Sequence, residues 1–126
     1  MPKLKKVSLI ILVFFYVVAG VNHFRDPESY VKIIPHYFPY PYILNLLAGF
    51  FELLFALLLI NYKTRSFAAY GIMLMLIAFL PVHISMIEDA PLQLGRITVT
   101  PLIAWIRLVI LQPLLILWAW WYRLVS

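Results

Sequence analysis

The stretch "LLAGFFELLFALLLI", residues 46 to 60, carries one carboxylate, Glu52, in a run that is otherwise wholly apolar. A run of this kind predicts a helix in apolar surroundings, and an ionised side chain at mid-bilayer costs about 2.5 to 3.5 kcal/mol on insertion scales. Glu52 therefore needs an internal partner or a proton. Helical spacing puts Asn45, Gly49, Glu52 and Ala56 on one stripe, whose small residues admit a close neighbour, so the stripe is expected to face the protein interior.

The rest of the chain has the same character. Of its 126 residues 65% are hydrophobic and 12% charged, and the mean hydropathy is +0.98, whereas soluble domains are about a quarter charged. There is room for one domain, residues 1 to 126. With no cysteine, disulfides, thiolate metal sites and covalently attached haem are excluded. The formal charge of +5 sits at the ends of apolar runs rather than in a basic stripe interleaved with aromatics, which argues against a nucleic-acid partner.

A membrane span needs about 20 mostly apolar residues. Residues 7 to 24, 42 to 60, 67 to 87 and 102 to 122 meet this, each bounded by charge, proline or both. Short connections make neighbours alternate in direction, so the expected fold is all-α: an up-down bundle of four transmembrane helices. One end then carries Lys3, Lys5, Lys6, Lys63, Arg65 and Arg123 with no acid, while the other mixes Arg25, Lys32 and Arg96 with Asp26, Glu28, Glu88 and Asp89. The positive-inside rule places both termini in the cytoplasm. A competing reading, in which "MPKLKK" and the first span form a cleaved leader, fits less well because His23 and Phe24 prolong the apolar run.

The longest connection, "RDPESYVKIIPHYFPYP" (residues 25 to 41), is expected to be an interfacial lid. Asp26 suits an N-cap with Pro27 opening a short helix, Pro35 stops it, and the tyrosines suit a headgroup layer.

Counting about 1.5 Å per residue from the lid end puts His23 at the surface, His83 about 6 Å down, Arg107 about 8 Å, and Glu52 and Gln112 about 15 Å. Arg107 is long enough to reach Glu52, and that ion pair is the expected answer to the buried carboxylate. His83 and Gln112 would complete its hydrogen bonds, with His23 and Asn22 at the mouth. Arg107 and Gln112 are about 140° apart on an ideal helix. Pro113, which removes a backbone hydrogen bond, is expected to kink that span and turn Arg107 relative to the rest. Haem ligation by His23 and His83, and a metal site adding Glu52, are disfavoured because neither has supporting spacing. No phosphate loop or nucleophile triad is present, so whether the chain is an enzyme is left open.

The run "AGVNHFRDPESYVKIIPHYFPYPYILNLLAGFFELLFALLLI" (residues 19 to 60), with "FLPVHISM" (79 to 86) and "RLVILQPLLILWAW" (107 to 120), resembles the DoxX-like family of small four-helix bacterial membrane proteins. His23, Pro27, Tyr30, Pro35, Pro39, Gly49, Glu52, His83, Met86, Arg107 and Gln112 fall on its motif positions. Many relatives carry asparagine in place of His83, which favours hydrogen bonding over imidazole chemistry there. The resemblance implies a multi-pass protein of the bacterial cytoplasmic membrane. The family takes its name from a subunit of a thiosulfate to quinone oxidoreductase, which implies a quinone as ligand and a redox partner supplying electrons.

Together these readings favour a protein that binds a lipophilic, quinone-like molecule in the lid-side half of the bundle through Glu52, Arg107, His83, Gln112, His23 and Asn22. The alternative is a non-catalytic scaffold for another membrane protein, its buried pair fixing helix register.

Overall fold

The computed structural model describes residues 1–124. Its helices are α1 (Lys3–Arg25), α2 (Pro27–Ile33), α3 (Pro41–Ile60), α4 (Arg65–Ala78), α5 (Leu80–Asp89), α6 (Pro101–Ile106) and α7 (Gln112–Trp120). A π-helical turn, Arg107–Leu111, joins α6 to α7, and strands β1 (Leu92–Leu94) and β2 (Ile97–Val99) form a small antiparallel hairpin. Four helical segments, Lys3–Arg25, Pro41–Ile60, Arg65–Asp89 and Pro101–Trp120, are long and apolar enough to cross a membrane. They match the four expected runs with no end moved by more than four residues.

Local chemistry sets the ends. Pro41 and Pro101 open their helices, where a missing N–H costs nothing, and the Thr100 hydroxyl accepts from the Ile103 amide at 3.3 Å. The last carbonyls of α3 would be left without partners at a helix terminus. Thr64 instead donates to the Leu58 carbonyl at 2.6 Å, and Arg65 donates to those of Leu59 and Ile60 at 2.8 and 3.0 Å. The third span breaks at Phe79, two residues before Pro81, as a helix must where a proline ring displaces the backbone of the preceding turn. The hairpin, unexpected from the sequence, turns at Gly95, whose φ of 59° is left-handed.

Pro27 opens α2 and the helix stops before Pro35, as expected. The expected Asp26 cap is not formed. Its carboxylate accepts the Ser29 hydroxyl at 2.7 Å instead, and no side-chain bond reaches the α2 amides. After α2 the chain returns through Tyr40, which has a left-handed φ of 53°.

The end of α1 meets the start of α3, and α3, α4 and α7 pack in succession. Trp118 donates to the Ser8 hydroxyl at 2.8 Å and Tyr122 to the Lys5 carbonyl at 2.9 Å, bringing the fourth span back to the first. The α1 to α3 seam is the closest. A Cβ on Gly49 would lie 2.7 Å from the Cβ of His23, and one on Gly20 would lie 2.7 Å from Leu53 Cγ and 3.1 Å from the Gly49 carbonyl. The main apolar core, including Leu12, Tyr16, Ala56, Leu59, Ile72 and Tyr122, continues along this seam toward the termini. Outward faces stay apolar, with Leu4, Ile10, Phe14, Leu57, Leu74 and Leu102 exposed. Such surfaces need an apolar surrounding.

Replacing Gly49 with leucine should force α1 and α3 apart and destabilise the protein by about 1 to 3 kcal/mol, the usual cost of overpacking. Thermal unfolding in mild detergent, followed by tryptophan fluorescence, should show the lowered midpoint; an unchanged midpoint would mean that the seam is looser than described.

Candidate functional site

Glu52 finds its partner across the α1 to α3 seam. Its Oε1 lies 3.2 Å from His23 Nε2, and the other ring nitrogen, Nδ1, lies 2.7 Å from Asn45 Oδ1. The expected Glu52 to Arg107 ion pair is not formed; among the described residues the acid's side-chain partner is His23. Side-chain direction explains the difference. Side chains tilt toward the N-terminus of their own helix. Because the end of α1 packs on the start of α3, His23 and Glu52 lean toward each other, which a count of rises along each axis misses.

Asn45 also determines where the protons sit. Its amide nitrogen donates to the His23 carbonyl at 2.9 Å, which only the NH2 end is able to do. Asn45 Oδ1 therefore faces Nδ1, and His23 must carry a proton there to bridge the 2.7 Å. Nε2 and Glu52 Oε1 then share a single proton between them. Whether imidazolium faces carboxylate or imidazole faces carboxylic acid, the pair is neutral overall.

Helix α2 packs onto this pair. Tyr30 stacks on the His23 ring with centroids 3.9 Å apart, and Asn22 donates to the Tyr30 hydroxyl at 2.7 Å. Burial pushes the Tyr30 phenol above its ordinary value, against the opposing effect of the Asn22 bond, so it stays protonated. Asn22 Oδ1 is held by Arg25, and Lys32 of α2 donates to the Gln93 carbonyl of the hairpin at 2.5 Å.

Arg107 and Gln112 form a second polar unit. A π-helical turn closes with a bond spanning five residues, here from the Gln112 amide to the Arg107 carbonyl. This wider turn brings residues five apart together, and Arg107 donates to Gln112 Oε1 at 2.6 Å. Pro113 was expected to produce a kink; what accompanies it is this turn. The Gln112 amide nitrogen donates in turn to the Leu76 carbonyl, close to the break in the third span.

Between these units lies a cavity of about 1010 Å³. Of the six residues expected from sequence, His23, Glu52, His83 and Arg107 line it, whereas Asn22 and Gln112 do not. Asn22 is bonded to the lid, and Gln112, 1% exposed, acts on Arg107 and Leu76 from behind the wall. Tyr16 and Asn45 also line the cavity. Asn45 had a signal in its place on the Glu52 stripe, whereas Tyr16, inside "LVFFYVV", had none. Among the described residues three buried side-chain polar atoms are without hydrogen-bond partners: Tyr16 OH, Glu52 Oε2 and His83 Nδ1. Their residues are 2%, 5% and 8% exposed, and all three border the same cavity. Among the described residues no group of three His, Asp or Glu is placed to hold a metal ion.

Changing Gln112 to leucine would leave the Leu76 carbonyl unpaired and remove the partner of Arg107. A loss of about 1 to 3 kcal/mol is expected, the usual cost of an unsatisfied buried group. Denaturant unfolding checks it, and an isoenergetic variant would mean that water replaces the amide.

Comparison with known proteins adds one relationship. A profile described as "Domain of unknown function (DUF8561)" matches residues 12–123. No curated protein and no solved structure matches the chain. The matched region runs from within the first span to the end of the fourth and includes every residue of the cavity wall named above, so this chain belongs to the DUF8561 family.

Proposed function

We propose that the chain is an integral membrane protein that holds a lipophilic ligand in the cavity between its spans. The observation that carries this reading is the pairing of size with unmet polarity. The cavity is large, its walls are mostly aliphatic and aromatic, and three buried polar atoms on it have no partner. Leaving such groups unsatisfied costs about 1 to 3 kcal/mol each, so a ligand with a polar head would recover energy that the empty protein forgoes. Phe15, Phe51, Phe67 and Leu74 are both cavity-lining and exposed, so the cavity is open on an apolar flank, a route for a molecule dissolved in the bilayer.

In this reading the four spans form an up-down bundle with α2 as an interfacial lid. The cations Lys3, Lys5, Lys6, Lys63, Arg65 and Arg123 lie on the cytoplasmic side with both termini. The resemblance to DoxX-like proteins extends the proposal to the bacterial cytoplasmic membrane, a quinone-like head and a role as membrane subunit of a redox complex. A partner would bring the electrons.

A scaffold reading draws on a different observation, the His23, Asn45 and Glu52 network that joins α1 to α3. Buried polar networks of this kind can fix helix register without binding anything.

Native mass spectrometry with lipid extraction separates the two. Protein purified in mild detergent should carry a lipophilic molecule, and Ala48→Phe, which fills part of the cavity wall, should displace it while leaving a folded protein. A folded wild type that carries nothing, and takes up nothing when lipid extract is added, supports the scaffold.

A further inference from the structure

The wall of the cavity has an unbalanced charge. Its ionisable residues of ordinary acid or base character are His23, Glu52, His83 and Arg107. With Nδ1 of His23 protonated toward Asn45, one proton between Nε2 and Glu52 Oε1 makes this pair neutral overall. His83 is neutral or positive, never negative. Arg107 does not lose its proton in proteins, yet its hydrogen-bond partner is the uncharged oxygen of Gln112, at 2.6 Å. Among the described residues no carboxylate lies within ion-pair distance of it. The wall therefore holds at least one positive charge that nothing in it offsets.

An uncompensated guanidinium beside an apolar cavity is costly, and the usual remedies are a counter-ion or a path to water. Arg107 is half-buried, and the π-helical turn with Gln112 behind it holds the guanidinium at the wall instead of letting it extend to the end of the span. We propose that the missing counter-charge arrives with the ligand: the cavity takes an amphiphile with a single anionic head, a carboxylate or a phosphate, which Arg107 binds while the tail occupies the aromatic and aliphatic wall. Arginine is suited to this because its planar fork meets two oxygens of either group at once. Tyr16 OH and His83 Nδ1 are free to donate to the same head. This inference rests on the cavity being a ligand site and specifies the chemical class of what enters it.

The test is a titration followed by native mass spectrometry in a non-ionic detergent at mildly alkaline pH. The probes are hexadecanoate, hexadecyl phosphate and hexadecanol, which share a tail and differ in the head. Wild type should bind at least one anion roughly tenfold or more tightly than the alcohol, a margin typical of one well-placed charge pair. Arg107→Gln should erase that preference and Arg107→Lys should keep part of it, with both variants monodisperse and helical. Which anion wins distinguishes a fatty acid from a lipid phosphate. If the alcohol binds as well as either anion, the charge inference is overturned while the cavity remains a ligand site. A preference for anions that survives Arg107→Gln also overturns it, since surface lysines would then be responsible. Binding of no probe overturns both the inference and the ligand reading beneath it.

Discussion

The proton shared by His23 and Glu52 is the constraint around which the lid-side half of this protein is arranged. A carboxylate placed in the middle of an apolar helix is tolerable only if something inside the protein answers it. That answer comes from α1, and delivering it requires the two helices to approach until Gly20 and Gly49 nearly touch. Asn45, two stripe positions from Glu52, fixes the proton on Nδ1 of the histidine and ties its own α3 side chain to the α1 backbone at the His23 carbonyl. The lid then closes over the ring through Tyr30. Helix packing, side-chain chemistry and loop position all depend on one hydrogen-bonded pair.

The third and fourth spans are organised around two prolines. Pro81 interrupts the third span, and Pro113 accompanies a π-helical turn in the fourth. A single side chain, Gln112, links the two places. It accepts from Arg107 and donates to the Leu76 carbonyl. A residue that looks from sequence like a ligand contact thus acts as a strut behind the cavity wall, holding the Arg107 that lines it.

How much of this was legible in the sequence differed by scale. The four spans could be read because a long apolar run with charged or prolyl ends has few other structures available. Glu52 as a buried group and the short helix α2 opened by Pro27 were legible for similar reasons. The partner of Glu52 was not, because distance along helix axes does not carry the tilt of side chains toward their own N-termini. Arg107 and Gln112 looked incompatible because five residues on an ideal helix point apart, and the π-helical turn that reconciles them leaves no mark beyond the nearby proline. Tyr16 was hidden among neighbours such as Phe14 that face outward. The hairpin went unseen because three-residue strands are too short to show an alternating pattern against an apolar background.

The arrangement at His23 can be tested without knowing the ligand. Nitrogen NMR of the protein in lipid nanodiscs, with histidine labelled and His23 assigned by its replacement, reports which ring nitrogens carry protons. Asn45 requires a proton on Nδ1 of His23, hydrogen-bonded, whether or not Nε2 is also protonated. A His23 ring with a bare Nδ1 and its proton on Nε2 would leave the pair with Glu52 negative, and would contradict the neutral pair against which the charge of Arg107 stands out.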